Sequence, residues 1–311
     1  MRFLFVILFV LFPALFLEGQ RFRVATWNIE NAFDTLHDEG KNDWEFLPSA
    51  EREWNSGRYW RKLRGISQTI AAMGLPVLVG LQEIENDTVL RDLTRRTALW
   101  NAHYRYLVTN SPDERGVDVA LLYNPKMFSL LHWKVLSVPA VENGLRPTRD
   151  ILLACGKIGS DTVHVCVVHL PSRRNNNRST RQLRSLATKT LTTMLDSLRG
   201  RNVIVMGDFN AEEGDGLFDE LSSTLSPLLL KVGKGSNTVR GTYYFRGIWG
   251  YIDHILVSHA LKPYVIGTSR ECRFSWLLRT AKNIPHRTYG GTNYIGGLSD
   301  HLPLVVDMEI K

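Results

Sequence analysis

Six apolar stretches that each break off at a polar or charged side chain constrain this chain more than any other feature of it. In the central one, Val203-Ile204-Val205-Met206 runs into Gly207 and then Asp208-Phe209-Asn210. A run dominated by β-branched residues predicts a strand buried on both faces, ending in a polar tip. Asp208 and Asn210 are two apart, so in extended chain they project from one face, offering a carboxylate acceptor and an amide donor. Asp and Asn also close strand-to-loop turns through their own backbone hydrogen bonds, and for this stretch alone either reading holds.

The pattern recurs. Arg23–Ile29 ends around Asn28 and Glu30, again two apart; Val77–Leu81 leads to Glu83, and Val163–Val168 to His169. Two acid-histidine pairs follow beside apolar residues, Asp253-His254 and Asp300-His301. A turn accounts for any one of these ends. Together the six supply the side chains of a metal and phosphate site.

The stretches TWNIEN, GLQEIEN, VVHLPSRR, VMGDFNA, YIDHILVS and LSDHLPL, in that order from Thr26 to Leu304, resemble the endonuclease/exonuclease/phosphatase superfamily. Its members include pancreatic-type deoxyribonucleases, apurinic endonucleases, sphingomyelinases and inositol polyphosphate 5-phosphatases. The resemblance implies an α/β fold, a four-layer sandwich of two mixed β-sheets flanked by α-helices, with the site at one edge. It also implies roles by position. His301 would be the general base, Asp253 the carboxylate that orients its ring, and Asp208 the group that aligns the attacking water. Asn210 would donate to the phosphoryl oxygen, and His169 would bind phosphate or protonate the leaving group. Glu83, with Asn28, Asp300 and Glu30, would hold the metal. These are oxygen donors, which suit Mg²⁺ first, with Mn²⁺ or Ca²⁺ as alternatives, and not a zinc cage of His and Cys. His169 stands where apurinic endonucleases carry a tyrosine, so the resemblance leans towards the deoxyribonuclease and exported-nuclease branches.

Arg2 precedes an apolar run from Phe3 to Leu17 broken only by Pro13. The run is shorter than the ~20 residues of a membrane-spanning helix and has the layout of a secretory signal. Residues 1–19 are therefore expected to be a signal peptide, cut after Gly19, with an uncleaved anchor as the alternative. Residues 20–311 then form one domain, since no linker, repeat or second apolar span divides them. The formal charge of +7 survives loss of Arg2 and Glu18 together. It favours a polyanionic partner such as nucleic acid. Three cysteines are too few for a disulfide framework. Cys155 and Cys166 flank a hairpin through Gly159-Ser160 and either face each other or are buried free thiols.

Helical spacing of Leu63, Ile66, Ile70 and Met73 predicts a covering helix over 59–73, ended by Gly74. Further helices are expected over 89–100 and 179–198. Strands are expected over 104–109, 117–123, 128–138 and 149–156, all in the first sheet. Glu85 and Asn86 read as loop-ordering groups, and Arg115 with Asp118 as either site neighbours or a surface ion pair. The loop after His169 carries Arg173 and Arg174, whose guanidinium groups suit phosphate oxygens, and Arg178, which reads as solvated. Basic and aromatic side chains interleave from Arg270 to Tyr294, as in a nucleic-acid cradle or a plain surface loop.

The expected function is an exported, divalent-metal-dependent phosphodiesterase, a nuclease acting on DNA or RNA. The alternative enzyme is a phospholipase C or phosphatase acting on lipid or inositol phosphate head groups. That reading calls for an exposed apolar docking hairpin, for which the sequence offers no candidate. A third reading is a catalytically silent binding module on the same fold.

Overall fold

The apolar stretches behind the six polar tips lead into or out of strands, and the computed structural model describes residues 19–173, 177–212, 214–227 and 241–310. The expected signal segment thus lies outside the described residues, Gly19 excepted. In chain order the elements are β1 (Gln20–Ala32), α1 (Ser56–Ala72), β2 (Leu78–Ile84), α2 (Asp87–Arg95), β3 (Arg105–Val108), β4 (Asp118–Tyr123), β5 (Ser129–Leu136) and β6 (Ile151–Ile158). Then follow β7 (Asp161–His169), α3 (Arg178–Ser197), β8 (Asn202–Asp208), α4 (Gly216–Leu221), β9 (Leu225–Pro227), β10 (Tyr243–Phe245), β11 (Ile248–Gly250), β12 (Asp253–Ser258) and β13 (Val265–Glu271). Two short ladders, β14 (Leu278–Arg279) with β15 (Ile284–Pro285) and β16 (Tyr289–Gly290) with β17 (Asn293–Tyr294), precede β18 (Leu304–Ile310).

Two six-stranded sheets result, ordered β13-β18-β1-β2-β4-β3 and β5-β6-β7-β8-β12-β9. Each contains one parallel pair, β1 with β2 and β7 with β8, among antiparallel neighbours. Both sheets are therefore mixed. Their inner faces share one core, in which Val24, Leu78, Val119 and Leu121 meet Val165, Val167, Ile204, Met206 and Ile255. The outer face of the first sheet packs on α1 and α2 through Trp27, Ile29, Leu63, Ile66, Ile70 and Leu90. The outer face of the second packs on α3 and α4 through Cys166, Leu183, Leu191, Val203 and Leu217. Helix, sheet, sheet and helix make the four layers expected.

Local chemistry ends the helices where the sequence implies. Asn55 caps α1 by accepting from Arg58 N, and Gly74 takes the left-handed conformation just beyond it at φ 85°. Asn86 caps α2, with Asp87 in its first turn and Arg95 in its last, charges that oppose the helix dipole. The apolar periodicity expected to reach Trp100 stops earlier, and Ala98–Ala102 is a separate 3-10 turn. Cys155 and Cys166 sit on adjacent strands but out of register, opposite His164 and Leu153, and both thiols are free.

One expectation is corrected. Of the four strands assigned to the first sheet, β3 and β4 belong to it, whereas β5 and β6 lie in the second. The turn after Tyr123 carries the chain across the sandwich, and Phe128 is buried in the core shared by both sheets, its ring against Gly156 of β6. Alternation along a strand reports which face is buried, not which sheet it joins.

Gly207 is set by close approach. Its φ is 148°, and a Cβ there would lie 1.9 Å from the carbonyl oxygen of Val168 on β7. Gly207→Ala should cost about 3 kcal/mol or more, through strain plus separation of β7 from β8. Urea denaturation measures this, and an unchanged midpoint would contradict the contact.

Candidate active site

Strand register places three of the expected residues in one row. Asp208 at the end of β8 pairs with His169 at the end of parallel β7 and with Asp253 at the start of antiparallel β12. Residues paired across neighbouring strands point to the same face, so the three side chains stand together. The first sheet closes on this row. Asn28 on β1 donates through Nδ2 to Asp208 Oδ2 at 3.1 Å, spanning the two sheets. His301, just before β18, has Nδ1 2.8 Å from Asp253 Oδ2 and Nε2 3.9 Å from Asp208 Oδ2. His169 Nε2 approaches the same Asp208 oxygen at 3.5 Å.

The approach to His301 is anchored by core residues. The indole of fully buried Trp27 donates to His301 O at 3.0 Å. Ser299 donates to Asn28 O at 2.6 Å and accepts from His301 N at 2.9 Å. The ring is therefore held from three directions: by its carboxylate, by its own backbone and by Tyr243, whose ring centroid lies 4.7 Å away.

Two same-face expectations are corrected. Asn210, at φ 47°, and Glu30, at φ 50°, are left-handed, so the chain leaves the extended conformation just after Asp208 and just after Asn28. Asn210 N donates to Asp208 Oδ1 at 2.8 Å, and Glu30 N to Asn28 Oδ1 at 3.0 Å. The turn reading of both stretches therefore holds. Asn31 and Glu83 are left-handed as well, at φ 53° and 65°, and are joined by a bond from Asn31 N to Glu83 Oε2 at 2.8 Å. Left-handed backbone in such residues costs on the order of 1 kcal/mol each and persists where the surroundings over-determine it.

Charge compensation differs among the acids. Burial works to raise the pKa of Glu83, but Arg115, at 3.2 Å, and the hydrogen bond from Asn31 N hold it well below the usual range. Asp208 is pushed up to about 7 by burial and by Asp253 beside it. Burial favours neutral His301, yet Asp253, Asp300 and Asp208 around it raise its pKa to about 10. Burial, then Arg149, drives His169 the opposite way, so that ring is neutral. Two histidines in one row carry different charge states.

The structure assigns the remaining expected residues unequally. Asp300 receives Arg287 Nη2 at 2.5 Å and lies 3.8 Å from His301 Nε2. Glu30 is tied to the C-terminal loop, where Thr288 N donates to its carboxylate at 2.8 Å. Lys62 donates both to the Glu30 carbonyl and to Thr288 Oγ1. Asn210 spends one amide hydrogen on Leu170 O at 3.0 Å. Arg173 turns away to pair with Asp215, and Arg174 lies outside the described residues.

Arg149, Arg287, Lys62 and Tyr243 join the neighbourhood without having been singled out for it, and Arg115 joins it as one of its two readings allowed. The surface pairing of Arg115 with Asp118 is corrected. Arg115 reaches Glu83, while Asp118 accepts from Thr109 Oγ1 at 2.5 Å and Ser111 N at 2.9 Å. Arg149, buried, donates to Asp113 and to Leu170 O. Of the others, Lys62 left a trace in the sequence, as a lysine on the apolar face of α1 beside Leu63 and Ile66.

The donor chemistry suits a hard cation. Glu83, Asn28, Asp300 and Asp208 offer oxygens at this edge, and no cysteine joins the group. Among the described residues only Asp208, Asp253 and His301 bring three ligand atoms within 4.8 Å of one another. Two buried polar atoms in the row, His169 Nδ1 and Asp253 Oδ1, have no hydrogen-bond partner there.

Residues 23–310 match the model of the Endonuclease/Exonuclease/phosphatase family, so the chain belongs to that family. No curated protein matches the sequence. Among solved structures, TDP2 of D. rerio in complex with a single-strand DNA product aligns over 92% of this chain and 98% of its own, with 17% identity and a TM-score of 0.59. The human Nocturnin catalytic domain with bound sulfate aligns over 94% and 95%, with 22% identity and a TM-score of 0.58. A family member from Bacteroides thetaiotaomicron aligns over 94% and 99%, with 17% identity and a TM-score of 0.59. At these identities the likeness is one of fold.

If Asp253 holds the proton on His301, Asp253→Asn should lower the His301 pKa from about 10 towards the ordinary histidine value. Nitrogen-detected NMR titration of the ring reads this directly. An unmoved titration would mean that Asp253 does not set the ring's charge.

Proposed function

We propose that this protein is an exported phosphodiesterase that cuts nucleic acid with the help of a divalent cation, Mg²⁺ first among the candidates. The observation that carries the reading is the meeting of His301, Asp253, Asp208 and His169 at one row, with Asn28 and the Glu83 strand tip closing on it from the other sheet. Hydrolysis needs an aligned water, a base, charge neutralisation at phosphorus and a donor for the leaving oxygen. Each has a candidate here.

In this reading Asp208 aligns the water and His301 accepts its proton, while Asp253 fixes the His301 tautomer and stabilises the imidazolium that forms. Neutral His169 donates to a phosphoryl or leaving oxygen, and the second amide hydrogen of Asn210 serves the same group. Arg115 and Arg287 add positive charge beside Glu83 and Asp300. Glu83, Asn28 and Asp300 are the residues that would hold the cation, whose charge would neutralise the phosphoryl oxygens and the surplus of carboxylates around His301. Glu30 acts by position, through Thr288 and Lys62. Export rests on the apolar run at residues 3–17. A nucleic-acid substrate is supported by the charge of +7 and by the DNA product bound in the related TDP2 fold.

One observation favours the lipid alternative. The β10–β11 hairpin beside His301 exposes Phe245 and Ile248, so the apolar hairpin that the sequence did not disclose is present. The deciding assay presents plasmid DNA, RNA, sphingomyelin and inositol phosphates with Mg²⁺, Mn²⁺ or EDTA. Nucleic acid should be cut, and EDTA should stop the reaction; turnover confined to lipid would overturn the substrate, and turnover indifferent to chelation the cation. His301→Ala should lower kcat/KM by about 10² to 10⁴. As a base His301 works only when deprotonated, and its pKa is raised. The rate should therefore climb with pH above the ordinary histidine value of about 6.5. A rate that falls across this interval would remove His301 as the base.

A further inference from the structure

The loops that leave β7 and β8 carry an ion pair that the chemistry above does not use. The two strands are parallel neighbours, so their ends His169 and Asp208 stand side by side and the chain beyond each starts from the same edge of the sandwich. Arg173, four residues past His169, puts Nη2 on Asp215 Oδ2, seven residues past Asp208. A second guanidinium lies close by. Arg184, half-buried on α3, donates to Pro171 O at 2.5 Å. Burial, then Arg173, disfavours its charge, while Asp215 and Asp208 favour it. The Asp215 carboxylate thus faces two cations beside the row that holds Asp208 and His169.

Asp215 forgoes the contact that its own position offers. At the starts of α1, α2 and α3, Asn55, Asn86 and Asn177 each accept from a backbone N–H of the first turn, at 3.2, 3.2 and 2.8 Å. Asp215 stands at the same place before α4 and makes no such bond. Its Oδ2 accepts instead from Glu212 N, at 2.6 Å, and from Arg173. A carboxylate held off its own helix has a favoured alternative ready. The pair is also open to water, with the Arg173 and Asp215 side chains 49% and 22% exposed, and such pairs are weak and yield to other ions. Phosphate is the stronger partner, because its oxygens take a guanidinium in a bidentate fork.

We propose that Arg173 binds a phosphate flanking the one that is cut, and that Asp215 stands in for that phosphate until a polynucleotide arrives. The inference rests on the nucleic-acid reading given above and adds to it the requirement for a second phosphate. Four residues of extended chain span at most about 14 Å. Each strand of a duplex carries a charge every ~3.4 Å of axis, so flanking phosphates lie within reach of Arg173 while His169 meets the scissile one. On binding, the guanidinium passes from carboxylate to phosphate, and Asp215 turns to cap α4. A lipid with a single phosphodiester has no second anion to displace the carboxylate, so the exchange favours a polynucleotide.

The test measures binding of a short fluorescein-labelled single strand of DNA to the full chain by anisotropy, in EDTA and over a range of salt. Arg173→Ala should weaken binding about tenfold and lower the slope of log affinity against log salt by about 0.7. Asp215→Asn, which keeps a helix-capping side chain and loses the charge, should tighten binding about two- to fivefold, and the gain should vanish when Arg173→Ala is added. A purely structural carboxylate would give no gain on neutralisation. Unchanged or weaker binding by Asp215→Asn therefore overturns the proposal, as does a gain that survives the loss of Arg173 or an Arg173→Ala variant that binds like wild type. Wild-type protein that does not bind the strand overturns the nuclease reading as well, whereas binding without cleavage once Mg²⁺ is supplied removes the nuclease reading alone.

Discussion

The contact between the inner faces of the two sheets is the constraint on which the rest of the molecule depends. Face-to-face sheets settle about 10 Å apart when apolar side chains interdigitate, and that separation decides whether groups at their common edge can touch. Gly80 on β2 shows how closely this is controlled, because a Cβ there would meet the Met206 side chain at 3.1 Å. Met206 is two residues from Asp208, and Gly80 three from Glu83. A packing change at this pair would therefore be carried directly to both strand tips.

Polar contacts between the sheets and along the first of them then hold the edge together. Asn28 to Asp208, His301 to Asp253, and Ser299 to Asn28 O join segments up to 271 residues apart in sequence. Charge is not evenly matched along it. Asp208, Asp253, Asp300 and His301 form one acidic group around a protonated ring, whereas Glu83 is answered by Arg115. The imbalance explains the opposite states of the two histidines: His301 is surrounded by carboxylates, and His169 faces Arg149 as well as the penalty of burial. The left-handed residues Glu30, Asn31, Glu83 and Asn210 cluster at the same edge, which is where stored backbone strain is found in sites that must present side chains at odd angles.

Much of the fold was legible because burial on two faces writes itself as apolar runs, and the six tips were legible because each run stops abruptly. The end of α1 also read true, Gly74 standing left-handed just beyond it. What failed had a common cause. Assigning β5 and β6 to the first sheet, and placing Glu30 and Asn210 on the faces of Asn28 and Asp208, both extended a local periodicity past the point where long-range packing bends the chain. The Arg115–Glu83 pair was invisible for a related reason, since 32 residues separate its members and no period links them.

By itself the sequence determined that this chain builds buried strands with acidic, amide and histidine ends in the order of one enzyme family, because those ends and runs are local facts of residue type. Only the tertiary structure decided which ends meet, which histidine is charged, and which acids have partners. Those properties depend on distance and burial, and both arise when the sheets pack and water is removed from between them.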